Sequence, residues 1–268
     1  MIETLAELYG LPLASVAGLV AVSFTAAMID AVAGGGGLLN VPALMLAGLN
    51  PVAAVATNKL QGTAGAISAT RSYMRAGLID RVAMRGAFLA SLAGGAMGAV
   101  SAQIVPIDAL RTGVPVLLIG VALFVAASPK LSDVASRARL GLMPYALGVA
   151  LVIGFYDGIF GPGGGTFYFI SLVLLLGQGV TRAAGNAKFL NLASNAGALG
   201  LFAFSGQVWW ALGLTLGLAS MLGARIGARA ALKRGAGLIK PLVVIVSILM
   251  ALRLLADPTH PIGQWLRS

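Results

Sequence analysis

The stretch AMIDAVAGGGGLLNVP, Ala27 to Pro42, places an aspartate and four consecutive glycines inside an otherwise apolar run. A second stretch, GFYDGIFGPGGGTFYF, Gly154 to Phe169, does the same: an Asp, three residues, then a Gly/Pro-rich break. One such run alone reads equally well as a turn or as tight helix packing. Two of them, each beside an aspartate, indicate a duplicated element.

The surroundings of these breaks decide the fold class. Of 268 residues, 59% are hydrophobic and 10% are charged, with a mean hydropathy of +0.95, whereas soluble domains carry about a quarter charged residues. Apolar stretches of about 17 to 25 residues, enough to cross a hydrocarbon core of about 30 Å, fill most of the chain. The alternation of a membrane β-barrel is missing, so the sequence predicts an all-α polytopic membrane protein. The net charge of +10 does not point to nucleic acid, because the basic residues flank apolar segments rather than form a solvated patch. There is no cysteine, hence no disulfide and no thiol-held metal. The N-terminal MIETLAELYG carries Glu3 and Glu7 and no basic region, so it does not read as a cleavable signal.

Turn-rich and charged interruptions predict helices over 13–33, 38–48, 52–74, 83–104 and 110–127, then over 143–160, 164–177, 182–204, 208–230 and 238–256. The most polar connection, ASPKLSDVASRARLG, lies between the two sets. It divides the chain into a first repeat (1–127), a linker (128–142) and a second repeat (143–268). DAVAGGGG from Asp30 matches DGIFGPGGG from Asp157, and TNKLQGTAGA from Thr57 matches NAKFLNLASNAGA from Asn186, pairing Lys59 with Lys188. GGAMGA at Gly94 matches GARIGA at Gly223, with the same offset of 129 residues as the lysines.

Charge placement orients the chain. Arg71, Arg75, Arg81, Arg85, Lys130, Arg137, Arg139, Arg182, Arg225, Arg229, Lys233, Arg234 and Lys240 fall on one side, which should be cytoplasmic. Arg111, Arg253 and Arg267 fall on the other, with Glu3, Glu7, Asp108 and Asp257, so both termini are expected outside. Because 128–142 and Arg182 share a side, 143–177 must enter and return as a hairpin; 13–48 makes the corresponding hairpin from outside. Each half is then a broken-helix hairpin plus three transmembrane helices, and the halves have inverted topology. Secondary transporters are often built this way, with the substrate site near the midplane at the repeat interface.

Of the 18 basic residues, Lys59 and Lys188 remain, both inside apolar helices, with Asp30 and Asp157 as their acidic counterparts. An ion at the bilayer centre costs roughly 2.5–3.5 kcal/mol even on insertion scales, so these four must face one another or a water-filled cavity. They could simply neutralise each other as glue. Buried ion pairs stabilise poorly against apolar packing, however, and a transport pathway explains them better. Broken helices are tolerated in lipid only where the break is buried in protein or lines a cavity. The half-helices beginning near Leu38 and Gly165 would aim unpaired N–H groups of Gly35, Gly36, Gly37, Gly163, Gly164 and Gly165, with Thr166 just beyond, at an anion. Asn58 and Gln61 share one helix face, as do Lys188, Asn191 and Asn195, and Asn186 lies nearby. Such groups also glue membrane helices, yet they are donors of the kind that would encircle an oxyanion. Gly94/Gly98 and Gly223/Gly227 read as close helix packing within one chain or between two copies, as in a homodimer. Trp209 and Trp210 read as interfacial anchors, and Arg225 as a snorkelling surface residue.

These residues resemble a known family. DAVAGGGGLLNVPAL, ATNKLQGTAGA, GPGGGTF and GNAKFLNLASNAGAL are similar to the motifs of the TauE/SafE sulfite exporter family, also called toluenesulfonate and sulfite uptake permeases, over essentially the whole chain. The resemblance implies a multi-pass carrier of the bacterial inner membrane that moves sulfite, sulfoacetate or other organosulfonates, usually outward. The second half reads GNAKF where many relatives carry Thr near the Lys, and the first half lacks a counterpart of Pro162, so the half-sites should contribute unequally.

The expectation is thus a secondary transporter of a small anion working by alternating access. Lys59 and Lys188 would supply charge, the glycine breaks and amides would bind oxygens, and Asp30 and Asp157 would compensate charge or carry a coupled proton. An anion channel, or a cation/proton antiporter built on the two aspartates, is the alternative. No cofactor, metal or enzymatic activity is expected: the single histidine, His260, lies in the C-terminal tail, with no Ser/His or metal-ligand set inside the membrane.

Overall fold

Apolar regularity between capped, glycine-punctuated ends produces eight helices among the residues that the computed structural model describes, which are 9–104, 134–235 and 237–238. They are α1 (Leu13–Ala33), α2 (Gly37–Leu46), α3 (Pro51–Arg75), α4 (Arg81–Ala102), α5 (Leu142–Ile159), α6 (Gly164–Leu174), α7 (Val180–Phe202) and α8 (Trp210–Arg234). No strand lies among the described residues. The helix expected over 110–127, nearly all of that over 238–256, both termini and part of the linker lie outside them.

Local chemistry sets the boundaries. The Asn50 side chain accepts from Ala53 N at 2.9 Å with Pro51 at the first helical position, and Asp80 accepts from Ala83 N at 3.0 Å, so α3 and α4 each begin on a side-chain cap. Within α5, Tyr145–Ala150 winds as a π-helix.

Four helices, α1, α4, α5 and α8, are long and apolar enough to cross a membrane. Two others, α3 and α7, have 25 and 23 residues but carry the buried lysines and amides. These two pack against each other at the centre; α1, α2 and α8 also pack on α3, and α4, α5 and α6 on α7. The polar helices are thereby screened by apolar ones, the arrangement that a hydrocarbon solvent demands.

The short helices turn back on their predecessors. Ser23 Oγ donates to Asn40 Oδ1 at 3.1 Å across the α1–α2 hairpin, and the Tyr168 hydroxyl donates to Ala150 O at 3.3 Å across α5–α6. With 10 and 11 residues, α2 and α6 span only about half a hydrocarbon core at about 1.5 Å per residue.

The hairpin helices pack on the other half of the chain, α1 on α8 and α5 on α4. The small-residue spacings explain the closeness. Gly223 and Gly227 lie against the carbonyls of Phe24 and Met28, while Gly94 and Gly98 lie against those of Leu151 and Phe155. A Cβ at any of the four would stand well inside van der Waals contact with backbone. The two contact sets correspond, since Phe24 and Leu151, and Met28 and Phe155, are 127 residues apart, like Asp30 and Asp157. Valine at Gly98 or Gly227 is therefore expected to force helix backbones apart and cost upwards of about 3 kcal/mol. Thermal unfolding of the purified protein should show it, whereas the same change at Gly18, which has open space around it, should not.

Three apolar clusters fill the bundle. One joins Tyr73 and Ala231, near the ends of α3 and α8, to Met84, Tyr145 and Val180, near the starts of α4, α5 and α7, and it includes Val32 near the end of α1. Arg71 to Arg85, Arg137, Arg139, Arg182 and Arg229 to Arg234 all belong to segments that meet there, so these basic residues gather at one end of the bundle. The other clusters, with Leu11, Ala53 and Leu212 in one and Ala102, Ile159 and Phe202 in the other, tie the remaining helix ends. Arg225 is exposed on α8, away from the centre.

Candidate functional site

The two glycine breaks cross each other in contact. Gly34 and Gly35 have φ of +81° and +92°, and Gly161 and Gly163 have +84° and +86°, a left-handed region in which side chains are strained. At Gly34 a Cβ would stand 2.7 Å from Gly165 C and Thr166 Oγ1, and at Gly37 one would stand 3.2 Å from Pro162 Cα. Glycine is thus required here both by backbone conformation and by closeness to the other break. The half-helices α2 and α6 begin at Gly37 and Gly164, within a residue of the expected starts.

Two ion pairs flank the crossing, each joining a lysine to the aspartate of the other half. Lys188 Nζ lies 2.7 Å from Asp30 Oδ2. Lys59 Nζ lies 3.2 Å from Asp157 Oδ1 and also donates to the Asp157 carbonyl. Both lysines are buried, because α3 and α7 are the central helices and point these side chains into the hairpin tips.

The pairs differ in setting. Asp157 is 1% exposed, and its Oδ2 accepts from Ser194 Oγ and from Asn191 Nδ2, the latter at 3.3 Å. Asp30 is 25% exposed, and its Oδ1 accepts from the Gly36 N–H at 3.0 Å. A fully buried, multiply bonded pair stands opposite one that opens on free space.

That space is a cleft of about 450 Å³, counting the part continuous with the exterior. Of the residues expected at the site, Asp30, Asp157, Gly35, Gly36, Gly37, Gly163, Gly165, Asn58, Gln61, Asn191 and Asn195 line it. Lys59 and Lys188 stand behind the lining: a Cβ at Gly161 would lie 3.4 Å from Lys59 Nζ, and one at Gly165 would lie 3.1 Å from Lys188 Nζ. Side-chain-free glycines let both cations act on the cleft at short range. Gly164 packs under the Asp157 carboxyl, Thr166 packs on Gly34, and Asn186 is turned away, donating to Gln178 Oε1 at 2.8 Å.

Sequence reasoning passed over Asn40 and Ser220, which also line the cleft. Ser220 had a signal, as it stands 129 residues after Ser91, the offset of the lysines. Asn40 is a lone amide three residues past the last glycine of the run in an apolar half-helix.

Chemically, the four charges sum to zero, and the remaining groups are amide and backbone donors around a glycine crossing. An anion entering the cleft would compete with Asp30 for Lys188. Glycine-break N–H groups stand on the same side, at the positive end of a short helix dipole.

Comparison with known proteins gives the family. The family model described as sulfite exporter TauE/SafE matches residues 19–254. A probable membrane transporter protein, ORF9, of Sinorhizobium sp. is 48% identical over 244 residues, covering 91% of this chain and 94% of its own. The probable membrane transporter protein YfcA of Escherichia coli K12 is 42% identical, covering 88% of each chain. A probable membrane transporter protein of Haemophilus influenzae is 36% identical, covering 88% of this chain and 92% of its own. No solved structure matches. A chain matched over this length, with several apolar helices around a polar cleft, is a multi-pass membrane protein that belongs to the TauE/SafE sulfite exporter family, a family of membrane transporters.

Proposed function

We propose that this protein is a secondary transporter of small sulfur-containing anions, such as sulfite, sulfoacetate or other organosulfonates, exporting them across the bacterial inner membrane by alternating access. The observation that carries the reading is the pair of crosswise lysine–aspartate bridges beneath two touching glycine breaks at one cleft. The description of the family supports the choice of cargo.

The halves, 1–127 and 143–268, act as inverted repeats in this reading. Support comes from the exchange of partners, α1 on α8 and α5 on α4, and from the end of α1 meeting the start of α5 in one apolar cluster. The gathered basic residues would face the cytoplasm and both termini the periplasm. With the site empty, Asp30 balances the charge of Lys188. An arriving oxyanion takes over the lysine and the nearby N–H donors. The displaced, partly exposed Asp30 then stays charged in the cleft or takes up a proton, which would couple transport to a proton gradient.

The test is a thermal-shift screen of the purified protein, followed by flux in proteoliposomes. Sulfite and sulfonates are expected to stabilise the protein and carboxylates of matched shape are not. Flux that never saturates would indicate an anion channel. Sodium-dependent proton flux, with no response to any sulfur oxyanion, would indicate a cation/proton antiporter built on Asp30 and Asp157.

A further inference from the structure

The cleft is not symmetric about the crossing. It extends into a polar lobe between α1, α2, α3 and α8, where two hydrogen-bonded side-chain pairs are linked through the backbone carbonyl of Ser23. Gln61 Nε2 donates to Ser220 Oγ at 2.8 Å, Ser220 Oγ donates to Ser23 O at 3.4 Å, and Ser23 Oγ donates to Asn40 Oδ1 at 3.1 Å. All four residues are buried, and Asn40, Gln61 and Ser220 line the cleft.

The other half has no such lobe. The positions corresponding to Ser23, Asn40 and Gln61 are Ala150, Phe167 and Leu190, at the offsets that relate the aspartates and the lysines. Ser91, the counterpart of Ser220, is spent on Leu190 O and the Tyr168 hydroxyl.

The chain of bonds leaves two atoms over. Gln61 Oε1 is buried with no hydrogen-bond partner, and Asn40 Nδ2 has none among the described residues. With Ser220 Oγ bonded to one end of the Gln61 amide, the other end is left without a partner. The empty acceptor forfeits roughly 1–3 kcal/mol, which a donor group entering the lobe would return.

We propose that this lobe is a second subsite, receiving a neutral group that both donates and accepts, a hydroxyl or a carboxamide, at the far end of an organic anion. The charged head of that anion lies at the glycine crossing. The inference rests on the anion-site reading above and narrows it from inorganic oxyanions to bifunctional organosulfonates.

The test is calorimetric titration of the full-length protein with sulfite, ethanesulfonate and 2-hydroxyethanesulfonate. The hydroxyl is expected to tighten binding about tenfold over ethanesulfonate, the worth of one added neutral hydrogen bond at the upper end of its usual range. That ratio should fall toward one in Gln61→Met and in Ser220→Ala. Equal affinity of the two sulfonates in the unaltered protein, which needs no variant to fold, would overturn the subsite while leaving the anion site standing. A tenfold ratio that survives in both variants would also overturn it. Failure of all three anions to bind would sink the subsite and the transport reading together.

Discussion

Lys59→Ala is expected to lower the stability of the folded protein by about 3–5 kcal/mol, the usual result of removing one partner from a buried pair. Lys59 is fully buried and Asp157 is 1% exposed, so the truncation leaves a carboxylate with Ser194 and Asn191 as neighbours but no counter-charge. A companion variant, Lys59→Met with Asp157→Leu, removes both charges and should recover much of the loss, because the desolvation penalty goes with them. Unfolding midpoints in detergent give the comparison. A loss below about 1 kcal/mol in Lys59→Ala would show that the pair is not held dry as described. Lys188→Ala should cost less, because Asp30 is 25% exposed and can be solvated through the cleft.

Lys188→Ala is expected instead to abolish transport, reducing anion flux in proteoliposomes by 30-fold or more, while the protein still inserts and elutes as before. Truncating one partner of a desolvated charge contact costs about 2–5 kcal/mol, and each 1.4 kcal/mol is tenfold in affinity. The Lys188 ammonium stands just behind Gly165 at the crossing, where an incoming oxyanion would meet it. Asp30→Asn separates binding from turnover: with the competing carboxylate neutralised, the anion should bind more tightly and be released more slowly. Flux at the normal rate in Lys188→Ala would rule out that cation as the anion's partner.

Much of this was legible in the sequence because a membrane restricts the choices. Apolar length marks spans, and Asp30 and Asp157 before their glycines marked the hairpin tips. Lys59 and Lys188, left over once the flanking basic residues were placed, marked the central helices. The helix over 13–33 agrees at both ends, since Pro12 and the glycine run bound it sharply, whereas α8 extends to Arg234, beyond the expected end at 230. Its last turn carries Lys233 and Arg234, which favour the negative end of the helix dipole.

The pairing of charges was not legible. Nothing in the spacing of Asp30, Lys59, Asp157 and Lys188 says which acid meets which base, and the crosswise answer depends on the two hairpin tips touching through Gly34 and Gly165. Asn186 looked equivalent to its amide neighbours until α7 turned it toward Gln178.

By itself the sequence determined the helical membrane class, the broken helices and the four buried charges, because each follows from the cost of placing polar groups in hydrocarbon. Tertiary structure alone decided that one ion pair is buried and the other partly exposed, that the lysines stand behind glycine rather than in the lining, and that a polar lobe opens on one side only. Those outcomes depend on which atoms of distant helices come within hydrogen-bond range, and helix periodicity fixes only which face a residue occupies.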